Sequence, residues 1–336
     1  MFEINIQGLI TGLCAVACVI IGGLGVCRLI IDYIQNLAKR NKENRYLTDR
    51  HKQTTLWREI LKLLDDSVSS CSVVNFEAIE DKFDSFEELS KAIKKAGLEC
   101  SNLIIGVDFT ASNEWQGRKT FEHKSLHHVF KNSKRCNPYQ KVITSIGKTL
   151  APFDEDNMIP AYGFGDKTTK DRSVFSLCDE EIPCKGFEEV LRCYGNVLQK
   201  IELSGPTSFA PIINKAIEIT KQQRSYHILL IIADGQVVEE QELDTRLAIT
   251  AASSYPLSII VVGVGDGPWD VMSEYDEELP KRRFDNFQFV DYHKVTKKAK
   301  NPELAFALNA LMEIPDQYKS IKNLGFLNTP TSSYDQ

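Results

Sequence analysis

Two short apolar runs constrain the fold of this chain most, because each suits a buried strand and each ends at an aspartate. Residues 103–107 read LIIGV and precede Asp108, and residues 226–233 read YHILLIIA and precede Asp234. Runs this rich in branched side chains are typical of parallel strands that are buried on both faces. Ligands of open α/β sheets bind at the carboxyl ends of the strands. We therefore expect both carboxylates at one edge of a parallel sheet.

Strands and helices alternate from residue 103 onward, which predicts an α/β fold with a doubly wound, mostly parallel sheet flanked by helices. Ser85 and Gly97 are the predicted N-cap and stop signal of a helix that leads into the first strand. Further strands are expected over residues 158–164, 257–264 and 287–290, and further helices over residues 139–150, 186–200, 243–254 and 302–312 and from about Ile212.

Hydroxyl side chains are expected at the same edge of the sheet as the two aspartates. Thr110 and Ser112 follow Asp108 at a spacing of two residues, and Thr207 follows a Gly-Pro turn in a separate loop. These residue types offer only oxygen, which suits hard cations such as Mg²⁺, Mn²⁺ or Ca²⁺ rather than zinc. Each residue also has an ordinary explanation, since Asp, Thr and Ser commonly form turns and cap helices.

The N-terminal part of the chain predicts a single membrane anchor. Residues 8–27 carry no charge, and a helix of about 20 apolar residues spans a bilayer. Basic residues follow this run and none precedes it, so the positive-inside rule places the rest of the chain in the cytosol. A secretory signal peptide is the alternative, although residues 1–7 contain no Lys or Arg.

The expected organisation has five parts. They are a short segment at residues 1–7, the membrane helix at 8–31, a helical stalk at 32–75, the α/β domain at 76–318 and a flexible tail at 319–336.

Composition and cysteine spacing exclude several classes of protein. The net charge of −6 argues against nucleic-acid binding. Nine cysteines, with no Cys-x-x-Cys pair, argue against a disulfide framework, a zinc finger or a RING domain, although Cys184 and Cys193 remain a possible pair. The adjacent His127 and His128 point in different directions on a helix and cannot bind one metal ion together. Both are predicted to be surface residues.

Five sequence blocks, in order, resemble the copine-type branch of the von Willebrand factor A domain family. They are DFTASN (108–113), PAYGFGD (160–166), GPTSFAPII (205–213), IIADGQV (231–237) and GVGDGPWD (263–270). The resemblance covers roughly residues 76–317 and is closest to the A domain of plant RING-domain ubiquitin ligases. The sequence shows neither a RING nor the paired calcium-dependent domains of copines, so we expect neither ligase activity nor calcium-triggered membrane docking.

The resemblance implies a Rossmann-like fold with a metal-ion-dependent adhesion site, in which a DxSxS-type motif, a distant Thr and a distant Asp surround one cation. Thr110 stands where the first Ser of that motif often stands. Thr110 and Ser112, with Thr207 as a further candidate, would bind Mg²⁺, Mn²⁺ or Ca²⁺ directly. Asp108 and Asp234 would contact the ion directly or through water.

The implied function is metal-bridged recognition of a partner protein, whose acidic side chain completes the coordination of the ion. We expect a membrane-anchored interaction module or scaffold without enzymatic activity, and without a nucleic acid or small molecule as its ligand. Three alternatives stay open: a ubiquitin-ligase pathway component without its own RING, a scaffold with an empty metal site, and a Mg²⁺-dependent enzyme. The glycine-rich residues 263–267 are a weak nucleotide-binding signal.

Overall fold

The computed structural model describes residues 83–130, 134–154, 156–178, 182–279 and 282–327. The predicted membrane helix (8–31) and stalk (32–75) lie outside these ranges, as do the last nine residues of the predicted tail. Within the described ranges, no helix combines the length and the apolar character that crossing a membrane requires.

The described residues form an α/β fold around a six-stranded, mostly parallel sheet. The strands are β1 (Asn102–Asp108), β2 (Met158–Ile159), β3 (Ala161–Phe164), β4 (Phe175–Ser176), β5 (Cys184–Lys185), β6 (His227–Ala233), β7 (Leu257–Gly263) and β8 (Phe287–Asp291). The order in the sheet is β4-β3-β1-β6-β7-β8, and β2 pairs separately with β5. All pairs in the six-stranded sheet are parallel except β3 with β4.

The sheet reverses its direction of growth between β1 and β6. From β1 the chain adds β3 on one side and then returns to add β6, β7 and β8 on the other side. Such a reversal opens a crevice at the carboxyl ends of the two strands, where ligands of open α/β sheets bind. Asp108 ends β1 and Asp234 directly follows β6, so both predicted carboxylates lie at this reversal.

Helices cover both faces of the sheet. They are α1 (Phe86–Ala96), α2 (Pro138–Leu150), α3 (Gly186–Val197), α4 (Ala210–Gln223), α5 (Glu242–Ala252), α6 (Asp270–Glu278), α7 (Tyr292–Thr296), α8 (Pro302–Leu311) and α9 (Ile314–Asn323). Apolar residues of α4, α5 and α6 pack on one set of alternating strand residues. Helices α1, α2 and α8 contact one another, and the other alternating set is equally buried. The predicted doubly wound arrangement is therefore confirmed.

Local signals define the helix that precedes the sheet. The Ser85 side chain accepts a hydrogen bond from the Glu88 N–H, as expected of an N-cap. Gly97 ends α1 at a φ of 115°, a left-handed conformation that glycine adopts without a steric penalty. Both predicted boundary residues of α1 are confirmed.

The prediction of one continuous strand over residues 158–164 is wrong. The structure has two strands there, β2 and β3, which are separated at Pro160. The two pieces pair with different partners, β2 with β5 and β3 with β1. Proline has no N–H to donate to a ladder, so a strand is readily interrupted there.

The structure joins Cys178 to Cys193 in a disulfide and leaves Cys184 as a buried free thiol. The pair that the sequence left open, Cys184 with Cys193, is therefore not the one that forms. Cys178 follows β4 and Cys193 lies in α3, so the bond connects the edge of the sheet to a helix. Sequence spacing did not reveal this pairing because the fold brings the two residues together.

Candidate functional site

The loop after β1 is shaped by its own aspartate. The Thr110 N–H donates a hydrogen bond of 2.8 Å to Asp108 Oδ1, which turns the chain away from the strand direction. A short 3₁₀ turn, Ala111–Glu114, follows. It places Ser112 Oγ 3.0 Å from Thr110 Oγ1, so the two predicted hydroxyl ligands are neighbours.

Asp234 reaches the same point from the neighbouring strand. Its Oδ1 atom accepts a 3.4 Å hydrogen bond from Thr110 Oγ1. Because β1 and β6 are parallel and adjacent, their carboxyl ends meet, and two residues 126 positions apart share one site. The structure thus brings together four of the five predicted residues: Asp108, Thr110, Ser112 and Asp234.

The two carboxylates are buried and incompletely bonded. Asp108 and Asp234 are both 0% exposed, and each has an Oδ2 atom without a hydrogen-bond partner among the described residues. Burial raises the pKa of Asp108 well above its ordinary value, and the nearby negative charge of Asp234 raises it further. Burial also raises the pKa of Asp234, although hydrogen bonds, led by that of Ser112, act against the change. This site is therefore electrostatically unfavourable for two negative charges unless a positive charge balances them.

Thr207 lies on an adjacent loop, and among the described residues its side chain forms no hydrogen bond with the other four predicted ligands. The Ala111 N–H donates to the Ser204 carbonyl at 2.6 Å, which holds this loop against the loop after β1. Thr207 itself is 6% exposed. It is not a helix cap either, because α4 begins at Ala210 with Phe209 at the N-cap position.

Two glycines allow the loops of the site to approach closely. Gly165 has a φ of 81°, and a Cβ atom there would lie 2.5 Å from the Thr110 methyl group. A Cβ atom on Gly265 would lie 1.9 Å from the Asp234 carbonyl oxygen. Within residues 263–267, Gly265 therefore permits close packing against the site, while Gly263 and Gly267 make room for the Trp269 ring, so this glycine-rich segment has a packing role.

A buried polar network beneath Asp108 was missed by the sequence analysis. His127 is 6% exposed, so its assignment to the surface is wrong, whereas His128 is exposed as predicted. The His127 Nε2 atom lies 2.9 Å from the Asp108 carbonyl oxygen, and its Nδ1 atom lies 2.7 Å from the Tyr194 hydroxyl. A carbonyl only accepts, so Nε2–H donates to Asp108 and Nδ1 accepts from Tyr194. Burial lowers the pKa of His127 to about 3, which keeps the ring neutral.

Tyr139 and Asn113 complete this network. The Tyr139 hydroxyl donates to Asn113 Oδ1 at 2.8 Å, and the Asn113 amide donates to the Thr110 carbonyl at 3.0 Å. The network fixes the backbone on which Asp108 and Thr110 stand. No sequence signal identifies His127, because it lies in a segment of turns that has no hydrophobic period.

The arrangement as a whole offers two carboxylates and two hydroxyls around one point, with Thr207 on the next loop. A Mg²⁺ or Ca²⁺ ion takes six or more oxygen ligands and commonly retains water. The unpartnered carboxylate oxygens and the absence of nitrogen or sulfur among these side chains fit such an ion.

Comparison with known proteins places this domain in context. The sequence model described as Copine matches residues 125–330. "Copine family protein 2" of Caenorhabditis elegans is 56% identical over 248 residues, which cover 73% of this chain and 3% of that protein. "E3 ubiquitin-protein ligase RGLG5" of Arabidopsis thaliana is 51% identical over 270 residues, which cover 76% of this chain and 62% of that protein. The chain thus spans less than two thirds of either relative.

A solved structure, "von Willebrand factor type A from Catenulispora acidiphila", also aligns with this chain. The alignment has a TM-score of 0.38 at 11% identity and covers 66% of this chain and 43% of that one.

Proposed function

Since this chain belongs to the copine family, we propose that its α/β domain is a protein-interaction module that binds a divalent cation at the carboxyl ends of β1 and β6. The cation is Mg²⁺, Mn²⁺ or Ca²⁺, and the partner is a protein with an exposed acidic residue. The cation supplies a positive charge that attracts such a residue and offers it a coordination position.

The observation that carries this proposal is the pair of unpartnered oxygens on Asp108 and Asp234. Leaving a buried polar atom without a partner costs about 1–3 kcal/mol, and more for a charged group. Two such atoms at one position, belonging to carboxylates that both resist ionisation, are explained if a cation occupies the site in the functional protein.

The residues of this chain divide the work of the site. Thr110 and Ser112 offer hydroxyl oxygens that add no negative charge. Asp108 and Asp234 supply the charge that balances the ion, either directly or through water. Thr207 is a candidate ligand from the adjacent loop, and the network of His127, Tyr139 and Asn113 holds the loop after β1 in position.

Thermal unfolding of the full chain tests the metal site. We expect the midpoint to rise when Mg²⁺, Mn²⁺ or Ca²⁺ replaces EDTA, because a ligand of the folded state stabilises by about 2.7 kcal/mol at 100 times its Kd. The Asp234→Asn variant should show little or no rise. Asp291→Asn is the matched control: Asp291 ends β8 at the same edge and caps α7, and Asn is an equally good N-cap. An absence of any rise in the wild type would contradict the proposal.

Selection from a displayed peptide library, once with Mg²⁺ and once with EDTA, tests the partner class. Peptides retained only with Mg²⁺ should contain an Asp or Glu whose replacement by Asn or Gln abolishes binding. Binding that survives EDTA, or that needs no acidic residue, would mean that the metal does not bridge to the partner.

We also propose that residues 8–31 anchor the protein in a membrane with the α/β domain on the cytosolic side. The uncharged run at residues 8–27 and the basic residues that follow it support this orientation. Alkaline extraction and protease protection of intact vesicles provide the test. Release of the chain by alkali would contradict the membrane anchor. Protection of its C-terminal part from protease inside cell-derived vesicles would contradict the cytosolic orientation.

A role in a ubiquitin-ligase pathway is the second candidate, and the 51% identity to a protein named as a ubiquitin ligase favours it. We expect the purified chain to show no ubiquitin transfer of its own in a reconstituted reaction. Metal-dependent binding to a ubiquitin-conjugating enzyme or to a ligase would support this role.

A further inference from the structure

A cluster of three cysteines lies outside the proposed cation site. Cys178 follows β4, Cys184 lies in β5 and Cys193 lies in α3. Their sulfur atoms all lie within 4.8 Å of one another. Among the residues that the structure describes, this is the one group of three or more His, Cys, Asp or Glu side chains arranged closely enough to hold a metal ion.

We propose that Cys178, Cys184 and Cys193, when reduced, form a three-thiolate site for a thiophilic cation such as Zn²⁺. Zn–S bonds of about 2.3 Å imply that sulfur atoms on one tetrahedral ion are separated by about 3.8 Å. All three sulfur atoms already lie within 4.8 Å of one another, but those of Cys178 and Cys193 are bonded together and must separate after reduction to share an ion. Three ligands leave one position of a tetrahedral ion for water or for another donor.

The three cysteines lie on three different parts of the fold. Cys184 is paired through β5 with Ile159 of β2, and it is 1% exposed. Cys193 is 7% exposed and follows Arg192 on α3, while Cys178 is half-buried at the end of a short strand. A disulfide needs only two of these sulfur atoms, so it does not explain why a third lies against them.

The thiol of Cys184 must lose its proton to coordinate a cation, because the thiolate is the form that both attacks disulfides and binds metals. Burial raises the pKa of this thiol to about 11, and the charge of Glu189 adds to the rise. The thiol is therefore protonated in the metal-free protein, and a bound cation must displace that proton.

The disulfide makes the site conditional on reduction. Opening the Cys178–Cys193 bond consumes two electrons and two protons and yields two thiols. A water-soluble phosphine supplies the electrons and becomes a phosphine oxide, with water as the source of the oxygen and of the two protons. Binding of one Zn²⁺ to the three thiols then releases three protons. The oxidised protein, with only Cys184 free, has no such site.

This inference is independent of the proposed function. The site near Asp108 offers oxygen ligands to hard cations, whereas the cysteine cluster offers sulfur to soft ones. The two sites can therefore be tested separately, with excess Mg²⁺ present to occupy the oxygen site.

The test uses the full chain and Co²⁺ as a spectroscopic substitute for Zn²⁺. We expect the phosphine-reduced wild type to bind one Co²⁺ with thiolate-to-metal charge-transfer absorption, and one equivalent of Zn²⁺ to abolish that absorption. The Cys184→Ser variant should bind at least about 100-fold more weakly, since even the loss of a supporting residue costs 10–100-fold. Protein in which the disulfide is intact should show no such absorption.

Cys136→Ser is the matched control, because Cys136 is a free cysteine outside the cluster. The cysteines at positions 14, 18, 27 and 71 are present in every variant, so any signal from them cancels in the comparison. Cys178→Ser, in a half-buried loop, replaces Cys184→Ser if thermal unfolding shows that the latter does not fold. The proposal is overturned if reduced wild type shows no absorption beyond that of the cluster variant, or if the oxidised protein binds equally well.

Discussion

At the scale of single residues, Asp108 and Asp234 set the electrostatics of the domain. Both are fully buried, and their unpartnered Oδ2 atoms belong to the same site. Neighbouring buried carboxylates disfavour each other's ionisation. A cation that balances the two charges would remove this penalty.

Replacing Asp108 by Asn is expected to stabilise the metal-free protein. Asn keeps the acceptor for the Thr110 N–H, and its amide group takes the place of the unpartnered Oδ2 atom and can donate to Asp234. The gain should be about 1–3 kcal/mol, the cost of one unsatisfied buried group. Urea unfolding in EDTA measures it. A loss of stability in EDTA would show that the negative charge on Asp108 is already balanced by the protein.

His227 provides a prediction about pH. It is 1% exposed at the start of β6, and burial lowers its pKa below the ordinary 6.5; the hydrogen bond to the Ser225 carbonyl and the charge of Asp156 oppose this. The unfolded state then binds a proton below about pH 6.5 that the folded state resists, so stability is lost as the pH falls.

We therefore expect His227→Gln to reduce the loss of stability between about pH 7 and pH 5, by at most about 1.4 kcal/mol per pH unit. Urea unfolding at a series of pH values measures the slope. His127 keeps a contribution of its own in both proteins. An unchanged slope would mean that His227 has the same pKa in the folded and unfolded states.

At the scale of elements, the loops at the carboxyl ends of the strands are held together by close backbone contacts. The loop after β1 bonds to the loop before α4 through Ser204, and Val264 donates from the loop after β7 to the Ala233 carbonyl. The positions of the proposed ligands therefore depend on contacts between loops, including the loop after β7, which contributes no ligand itself.

Gly265→Ala is expected to destabilise the protein by about 1–3 kcal/mol, as overpacking usually does. The added Cβ would lie 1.9 Å from the Asp234 carbonyl oxygen, so the loop that carries Asp234 must move. The increase in the unfolding midpoint on addition of metal should also be smaller in this variant than in the wild type.

Gly195→Ala is the comparison for this prediction. No atom lies within 4 Å of the Cβ position of Gly195 in α3, and Ala is a better helix former than Gly by about 1 kcal/mol. The two substitutions should therefore shift the thermal-unfolding midpoint in opposite directions: Gly265→Ala should lower it and Gly195→Ala should raise it. Equal effects would show that the contact at Gly265 is not responsible.

At the scale of the whole molecule, α9 packs against the domain and extends beyond residue 318, which the sequence analysis gave as the end of the α/β domain. Ile321 is 0% exposed, and α9 packs on α1. The Tyr318 ring makes an edge contact with the Tyr226 ring beside β6, at a centroid distance of 5.1 Å. The last helix thus connects the start of the domain to a central strand.

A chain that ends at residue 318 should be less stable than one that ends at residue 327. Removing the buried Ile321 side chain alone forfeits about 1.5–3 kcal/mol of hydrophobic stabilisation. Urea unfolding of the two truncated chains, with the full chain for reference, measures the difference. Equal stabilities would mean that α9 contributes nothing beyond its first turn.

The sequence by itself predicted the parallel strands of the sheet, most of the helices and the proximity of Asp108, Thr110, Ser112 and Asp234. The runs before Asp108 and Asp234 are long and apolar enough to specify strands buried on both faces, and short-range signals such as Ser85 and Gly97 define helix ends. Parallel strands then have their carboxyl ends at one edge, so the aspartates that follow β1 and β6 are expected to lie close together.

Only the tertiary structure decided the burial of His127, the pairing of Cys178 with Cys193 and the nearby position of Cys184. These features depend on contacts between residues that are distant in sequence and lie in loops, turns or strands of two residues. Such segments have no hydrophobic period to reveal which side faces the core. Periodicity and capping act within one element, whereas the partners of a side chain in a loop are fixed only when the whole domain packs.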